Sequence, residues 1–270
     1  LIIEKITGFR FHLLLSGLEK VSESELFLIL SDAQYIPHQL NKFGLHILRA
    51  MLAERIFDKK LIESKIYCPQ FAQDIDKLLE YGIILKEFIP TKSMRYWMKQ
   101  VRYGNKKRNL SFEYSDKTLG QLISCLYLPH ELSTLYYENK RTMHFKVQKI
   151  THRKWDGQHL LHTDRIFSSL KLFATDEHIS QKDGPLVLVK GSHRSSEKKL
   201  KFWHELIKGP AMAFKACPSG YTSFLPDEKS FLSHLGYDKS NIEALTLPKF
   251  RVAIVNTLGF HRRFFAEGKF

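Results

Sequence analysis

The chain is poor in cysteine. Three occur in 270 residues, Cys68, Cys125 and Cys217, far apart and without a CxxC pair. That pattern excludes a zinc knuckle and gives no sign of a disulfide framework, so a reducing, cytoplasmic setting is expected. Long apolar runs are also missing. None reaches the roughly 18 residues of a membrane-spanning helix, so no membrane span is expected. The stretch Phe11–Leu18 (FHLLLSGL) is short and has no small-residue cleavage site, and it reads as a buried helix rather than a signal peptide. No GxGxxG and no Walker A sequence occurs. Ser192-His193 lacks a nucleophile-elbow pattern, and Cys217-Pro218 has no local histidine to activate the thiol. Linkers, internal repeats and low-complexity tracts are absent as well.

The composition is otherwise that of a folded protein. At 43% hydrophobic and 26% charged residues, wholesale disorder is excluded. The length suits one large domain or two small ones, and it buries about 70–75% of the unfolded surface without a covalent or metal staple. The formal charge is +14 and the isoelectric point about 9.6. The basic residues come in pairs and triplets, such as Lys59-Lys60, Lys106-Lys107-Arg108, Lys198-Lys199 and Arg262-Arg263, and never in a run of five. A nucleic-acid track is therefore not the expected partner. The charge reads first as a solvated surface, and after that as a preference for a small substrate that is anionic or carrier-bound.

Residues 1 to about 66 read as helical. In Leu45–Phe57 the residues Leu45, Leu48, Leu52 and Ile56 recur every three or four positions, one helical stripe. Phe71–Ile89 begins as an amphipathic helix through Leu79. Gly82 ends it, and IILKEFI follows as a short strand. Leu119–Tyr137 reads as a further helical region. From about Thr142 the period changes to two: His144–Ile150, Leu186–Val189 and Phe250–Thr257 alternate, separated by turns such as Lys182-Asp183-Gly184-Pro185. The expectation is a mainly β fold with α, a jelly-roll core behind a helical N-terminal region. Residues 1–66 form the helical extension and 67–270 the jelly-roll domain, together one compact unit.

The chemistry concentrates at His162-Thr163-Asp164. On a strand, residues i and i+2 share a face, so an imidazole and a carboxylate converge from one segment. A second histidine from another strand would complete a 2-His-1-carboxylate facial triad, the donor set of non-haem Fe(II) oxygenases. An isolated His-x-Asp carries little weight in a chain with 13 histidines. Its context adds weight. A strand at Leu170–Ala174, the turn Asp183-Gly184-Pro185, a strand closed by Gly191-Ser192-His193 and the later Asn256-Thr257-Leu258-Gly259-Phe260-His261-Arg262 follow in order.

In these segments, HTD at 162–164, DGPLVLVKGSH at 183–193 and NTLGFHR at 256–262, the sequence resembles the phytanoyl-CoA dioxygenase family of Fe(II)/2-oxoglutarate oxygenases. The resemblance spans roughly Phe71–Arg263. It departs from the family at Lys190, where proline usually precedes GSH. It implies a double-stranded β-helix, with His162, Asp164 and His261 as iron ligands and 2-oxoglutarate and O2 as cosubstrates. It implies hydroxylation of an unactivated C–H with release of succinate and CO2. His193, by the same likeness, closes a strand and ligates nothing. Because Asp164 is a carboxylate and not Gly or Ala, hydroxylation rather than halogenation is implied. The family's cosubstrate arginine falls about eleven residues past the third ligand, beyond Phe270. Within the sequence given, Arg263 shares the face of His261 by strand alternation and is the candidate cation. His144, Lys146 and Gln148 share one strand face and are further candidates to bind 2-oxoglutarate. Phe173 sits near where the family often has tryptophan and is expected to pack beside 2-oxoglutarate. Two alternatives stay open: a non-catalytic jelly roll that binds an anionic ligand or nucleic acid, and desaturation or ring formation in place of hydroxylation.

Overall fold

A computed structural model of the chain describes Lys5 and residues 44–87, 92, 95, 96, 99, 108–112, 122, 126, 143–147, 159–164, 170–175, 177–207 and 228–264. Helix α1 runs from Leu45 to Tyr67, followed by a 3-10 turn at Pro69–Phe71 and helix α2 at Ala72–Tyr81. Among the side chains described, the face that α1 buries departs from the expected stripe at Ile56. Ile47, Ala50, Leu61 and Ser64 are buried, whereas Ile56 is 47% exposed. Apolar residues stand on several sides of this helix, so spacing alone does not choose the inner face. The partners do: Leu61 enters one core with Ile75 and Leu78 of α2 and with Ile84, Val252 and Ile254 of the sheet behind it. The helical region thus packs directly on the β core.

The reading of α2 and the following strand holds. Gly82 ends the helix in the left-handed region at φ 78°, its N–H donating to Leu78 O at 3.0 Å. Strand β1 (Ile83–Glu87) leaves from it. Ile83 and Ile84 then face opposite cores, as the strand period requires.

The architecture is mixed helix and sheet, and the sheets are antiparallel. Two further early strands, β2 (Arg108–Phe112) and β3 (Met143–Val147), pair with each other, Leu110 opposite Phe145. β2 lies where no strand was expected, since its alternation covers only Leu110 and Phe112. Strands β4 (Leu170–Thr175), β5 (Leu186–Val189), β6 (Ile242–Ala244), β7 (Arg251–Asn256) and β8 (His261–Arg263) complete the set. One sheet has the order β1-β7-β4 and another β6-β5-β8. Strand β7 is central and buried on both faces. Val252 and Ile254 meet the helices, while Ala253 and Val255 meet Leu188, Leu245 and Leu247 from the other sheet. Phe173 and Leu186 pack against this second cluster, which joins the two three-stranded sheets.

Between β5 and β6 the chain inserts helices α3 (Glu197–Ile207) and α4 (Glu228–Leu235), where only strands were anticipated. The signal was present in the spacing of three between Leu200 and Trp203 and between Leu232 and Leu235, all buried. Cys68 is disulfide-bonded, a correction to the reading of the cysteines. The argument from cysteine usage to a reducing compartment therefore no longer holds. The regions around Phe11–Leu18 and most of Leu119–Tyr137 also lie outside the described residues. Among the described residues no helix is long and apolar enough to cross a membrane.

Candidate metal centre

His162 and His261 face each other across an antiparallel bridge, His162 N to His261 O at 2.9 Å and the reverse at 2.8 Å. The bridge is isolated. His162-Thr163-Asp164 was expected on a strand, but only His162 pairs, and Asp164 sits in a bend whose N–H donates to Thr257 O at 3.1 Å. The turn 257–260 therefore fixes both the backbone of Asp164 and the start of β8. Carboxylate and imidazoles converge by this cross-connection rather than by strand alternation. One ligand atom from each of His162, Asp164 and His261 lies within 4.8 Å of the others. The rings of the two histidines are 4.5 Å apart at 55°, and His261 Nε2 is 3.5 Å from Asp164 Oδ2.

The donor chemistry fits a divalent cation. His162 Nδ1 lies 2.7 Å from Leu160 O, and His261 Nδ1 lies 2.9 Å from Gly259 O. A carbonyl only accepts, so each Nδ1 carries the proton, and in the neutral ring Nε2 keeps its lone pair for a metal. Burial holds His162 neutral, its pKa lowered to about 4, with the neighbouring His261 acting in the same direction. Burial acts against ionisation of Asp164, but His261 and Lys171 outweigh it and hold the carboxyl below the usual range. His162 and Asp164 are thus already in the protonation state of a ligand. Bonds of about 2.0–2.2 Å to one ion at near-right angles would draw the donor atoms to about 3 Å from each other, a contraction from the observed limit of 4.8 Å.

The surrounding turns are locked. Ser192 Oγ donates to Val189 O at 2.6 Å and accepts from Phe260 N at 2.7 Å, tying the end of β5 to the residue before His261. Gly259 permits this approach, since a Cβ there would stand 3.2 Å from both Ser192 Oγ and Asn256 O. The fully buried Lys199 of α3 donates to Ser192 O and, at 3.1 Å, to Leu258 O, with its ammonium over the Trp203 and Phe260 rings. His193 stands apart from the cluster. Its Nε2 donates to Leu79 O at 3.0 Å and its ring packs against Gly82, so it docks the turn after β5 onto the end of α2.

The other sequence-derived candidates fall into place unevenly. Arg263 is opposite Leu186 in β8, two residues past His261, on the side that packs toward the inter-sheet cluster. Phe173 lines the same cluster from β4. His144 and Lys146 lie on β3, opposite Ser111 and Asn109, and Gln148 is outside the described residues. Sequence reasoning missed Lys171. Its Nζ is 2.6 Å from Asp164 Oδ2. The clue was available, because Lys171 and Phe173 share one face of the strand that follows HTD.

No protein-family model matches this chain, and no curated protein matches it.

Proposed function

We propose that this chain is a 2-oxoglutarate-dependent non-haem iron dioxygenase on a double-stranded β-helix core, hydroxylating an unactivated C–H of a small, anionic substrate. The observation that carries the reading is the convergence of His162, Asp164 and His261, whose ligand atoms, one from each residue, all lie within 4.8 Å of one another. Two imidazoles and one carboxylate are the donor set of non-haem Fe(II) oxygenases, and three protein ligands would leave positions on the ion open for cosubstrates. Antiparallel sheets meeting in a shared cluster support the core assignment, and the GPLVLVKGSH and NTLGFHR segments support the family resemblance. When bound, the Fe(II) centre supplies the chemistry that couples decarboxylation of 2-oxoglutarate, giving succinate and CO2, to oxidation of the substrate by O2.

The residues have distinct tasks in this reading. His162 and His261 would hold the ion through Nε2, oriented by the Leu160 and Gly259 carbonyls. Asp164 would complete the set as a carboxylate. Arg263, a fixed cation on the side of His261, would receive the distal carboxylate of 2-oxoglutarate, and Phe173 would exclude water beside it.

Asp164→Ala is the direct test. The variant is expected to stay folded, because Asp164 is not part of a hydrophobic cluster, and to lose both stoichiometric metal binding and succinate formation. Unchanged succinate production at saturating iron would reject the ligand assignment. Metal content separates this reading from a non-catalytic binding protein: about one ion per chain against none. Arg263→Ala is expected to raise the KM for 2-oxoglutarate about 10- to 150-fold, the loss of a charge-assisted bond. An unchanged KM would place the anchor elsewhere.

A further inference from the structure

Lys171 is the charged group at this centre that the facial-triad reading leaves without a task. Its ammonium lies 2.6 Å from Asp164 Oδ2, the same oxygen that faces His261 Nε2 at 3.5 Å. The cation thus pairs with the one carboxylate among the three residues that would share a metal ion. Lys171 lies on the Phe173 side of β4, and its side chain is 51% exposed while that of Asp164 is 18% exposed. The ammonium therefore comes in from the open, solvent-facing side of the cluster. Arg263 approaches the same interior from the opposite sheet, on the side of Leu186.

A divalent ion bound through Oδ2 would compete with the ammonium for that oxygen. At a separation of a few ångströms their charges repel, and the metal has the stronger claim on a carboxylate. The displaced ammonium remains tethered to β4 beside the vacated oxygen. There it faces the side where an organic ligand would enter, and an anionic oxygen is the partner that its charge requires. The geometry points to Lys171 as a placeholder cation: it neutralises Asp164 until a metal ion takes the carboxylate, and it then holds a carboxylate or phosphate group of the organic substrate next to that ion. This inference rests on the proposed metal centre and adds a chemical class for the substrate.

Co(II) titrated into the full chain, followed by its visible absorption, tests the first half. Lys171→Met is expected to bind Co(II) about three- to tenfold more tightly than the unaltered protein, since the ion displaces no ammonium, and Lys171→Arg is expected to match the unaltered protein. Equal or weaker binding by Lys171→Met overturns the placeholder role. The Co(II)-loaded proteins are then titrated with inorganic phosphate and, separately, with succinate. One of these anions should perturb the Co(II) spectrum at about tenfold lower concentration in the unaltered protein than in Lys171→Met, and which one does so separates a phosphorylated substrate from a carboxylic acid. If neither anion shows that dependence, the holding role is overturned. An unaltered protein that takes up no Co(II) would sink the metal centre itself. Asp164-dependent uptake that is indifferent to Lys171 would sink this inference alone.

Discussion

At the scale of single residues, the candidate centre depends on a few buried polar groups that decide where two histidines point. Ser192 is the clearest. Its hydroxyl is completely buried, donates to Val189 O and accepts from Phe260 N. Removing it leaves the buried Phe260 N–H without its partner, which costs about 1–3 kcal/mol, while Val189 O keeps the Ser192 N–H at 3.1 Å. Ser192→Ala should therefore lower the stability by that amount in a denaturant titration. Because Phe260 precedes His261, it should also weaken metal binding. A variant as stable as the parent would show that water replaces the hydroxyl. The serine and the histidines stand out in the sequence as GSH and HTD. Lys171 does not, because a lysine on an alternating strand resembles any solvated lysine until the fold places a carboxylate against it.

At the scale of elements, the junction of α2 with β1 carries two constraints at one position. Gly82 adopts φ 78°, and a Cβ there would lie 2.6 Å from His193 Nδ1. The left-handed backbone alone costs a non-glycine residue about 1–2 kcal/mol, and the His193 ring must also move. Gly82→Ala is expected to destabilise the protein by at least about 2 kcal/mol, measured as a loss in chemical denaturation, and a neutral substitution would show that the turn after β5 is free to shift. Gly82 as a helix stop was legible in the sequence. The clash was not, since the two residues are far apart in the chain. Helices α3 and α4 show a related limit. The alternation on either side of them drew the whole region into the β reading, yet α3 supplies the buried Lys199 that joins the Ser192 and Leu258 carbonyls. The stripe expected on α1 misplaces Ile56 for the converse reason, because an apolar helix acquires an inner face only from what packs on it.

For the molecule as a whole, buried bases shape the dependence of stability on pH, His193 and Lys199 among them. Burial, reinforced by Arg194, lowers the pKa of His193 from 6.5 to about 3. Below pH 6.5 the unfolded chain takes up a proton at this position that the folded chain refuses. Stability should then fall with decreasing pH between 6.5 and 3, by about 1.4 kcal/mol per pH unit from this group. His193→Gln keeps a donor for Leu79 O and removes the titration, so its stability should fall less steeply on the acid side. Identical slopes in chemical denaturation at pH 4 to 6.5 would show that His193 does not contribute. Burial also lowers Lys199, from 10.5 to about 7. Between those values the unfolded chain holds the extra proton, so stability should rise with pH across that window. Lys199→Met should remove this rise, and a rise that persists in the variant would assign it to other groups.

What the sequence determined by itself was local and periodic: the helix that stops at Gly82, the alternating strands β5 and β7, and the order of HTD, GSH and NTLGFH. Each follows from backbone preferences or from side chains a few residues apart. Only the tertiary structure decided which groups meet. It set His162 against His261, Lys171 on Asp164, and Arg194 on Asp58 from a position 136 residues away. It closed a disulfide at Cys68 and chose the buried face of α1. Such contacts depend on loop closure and on the packing of several elements at once, and no short stretch of sequence encodes them.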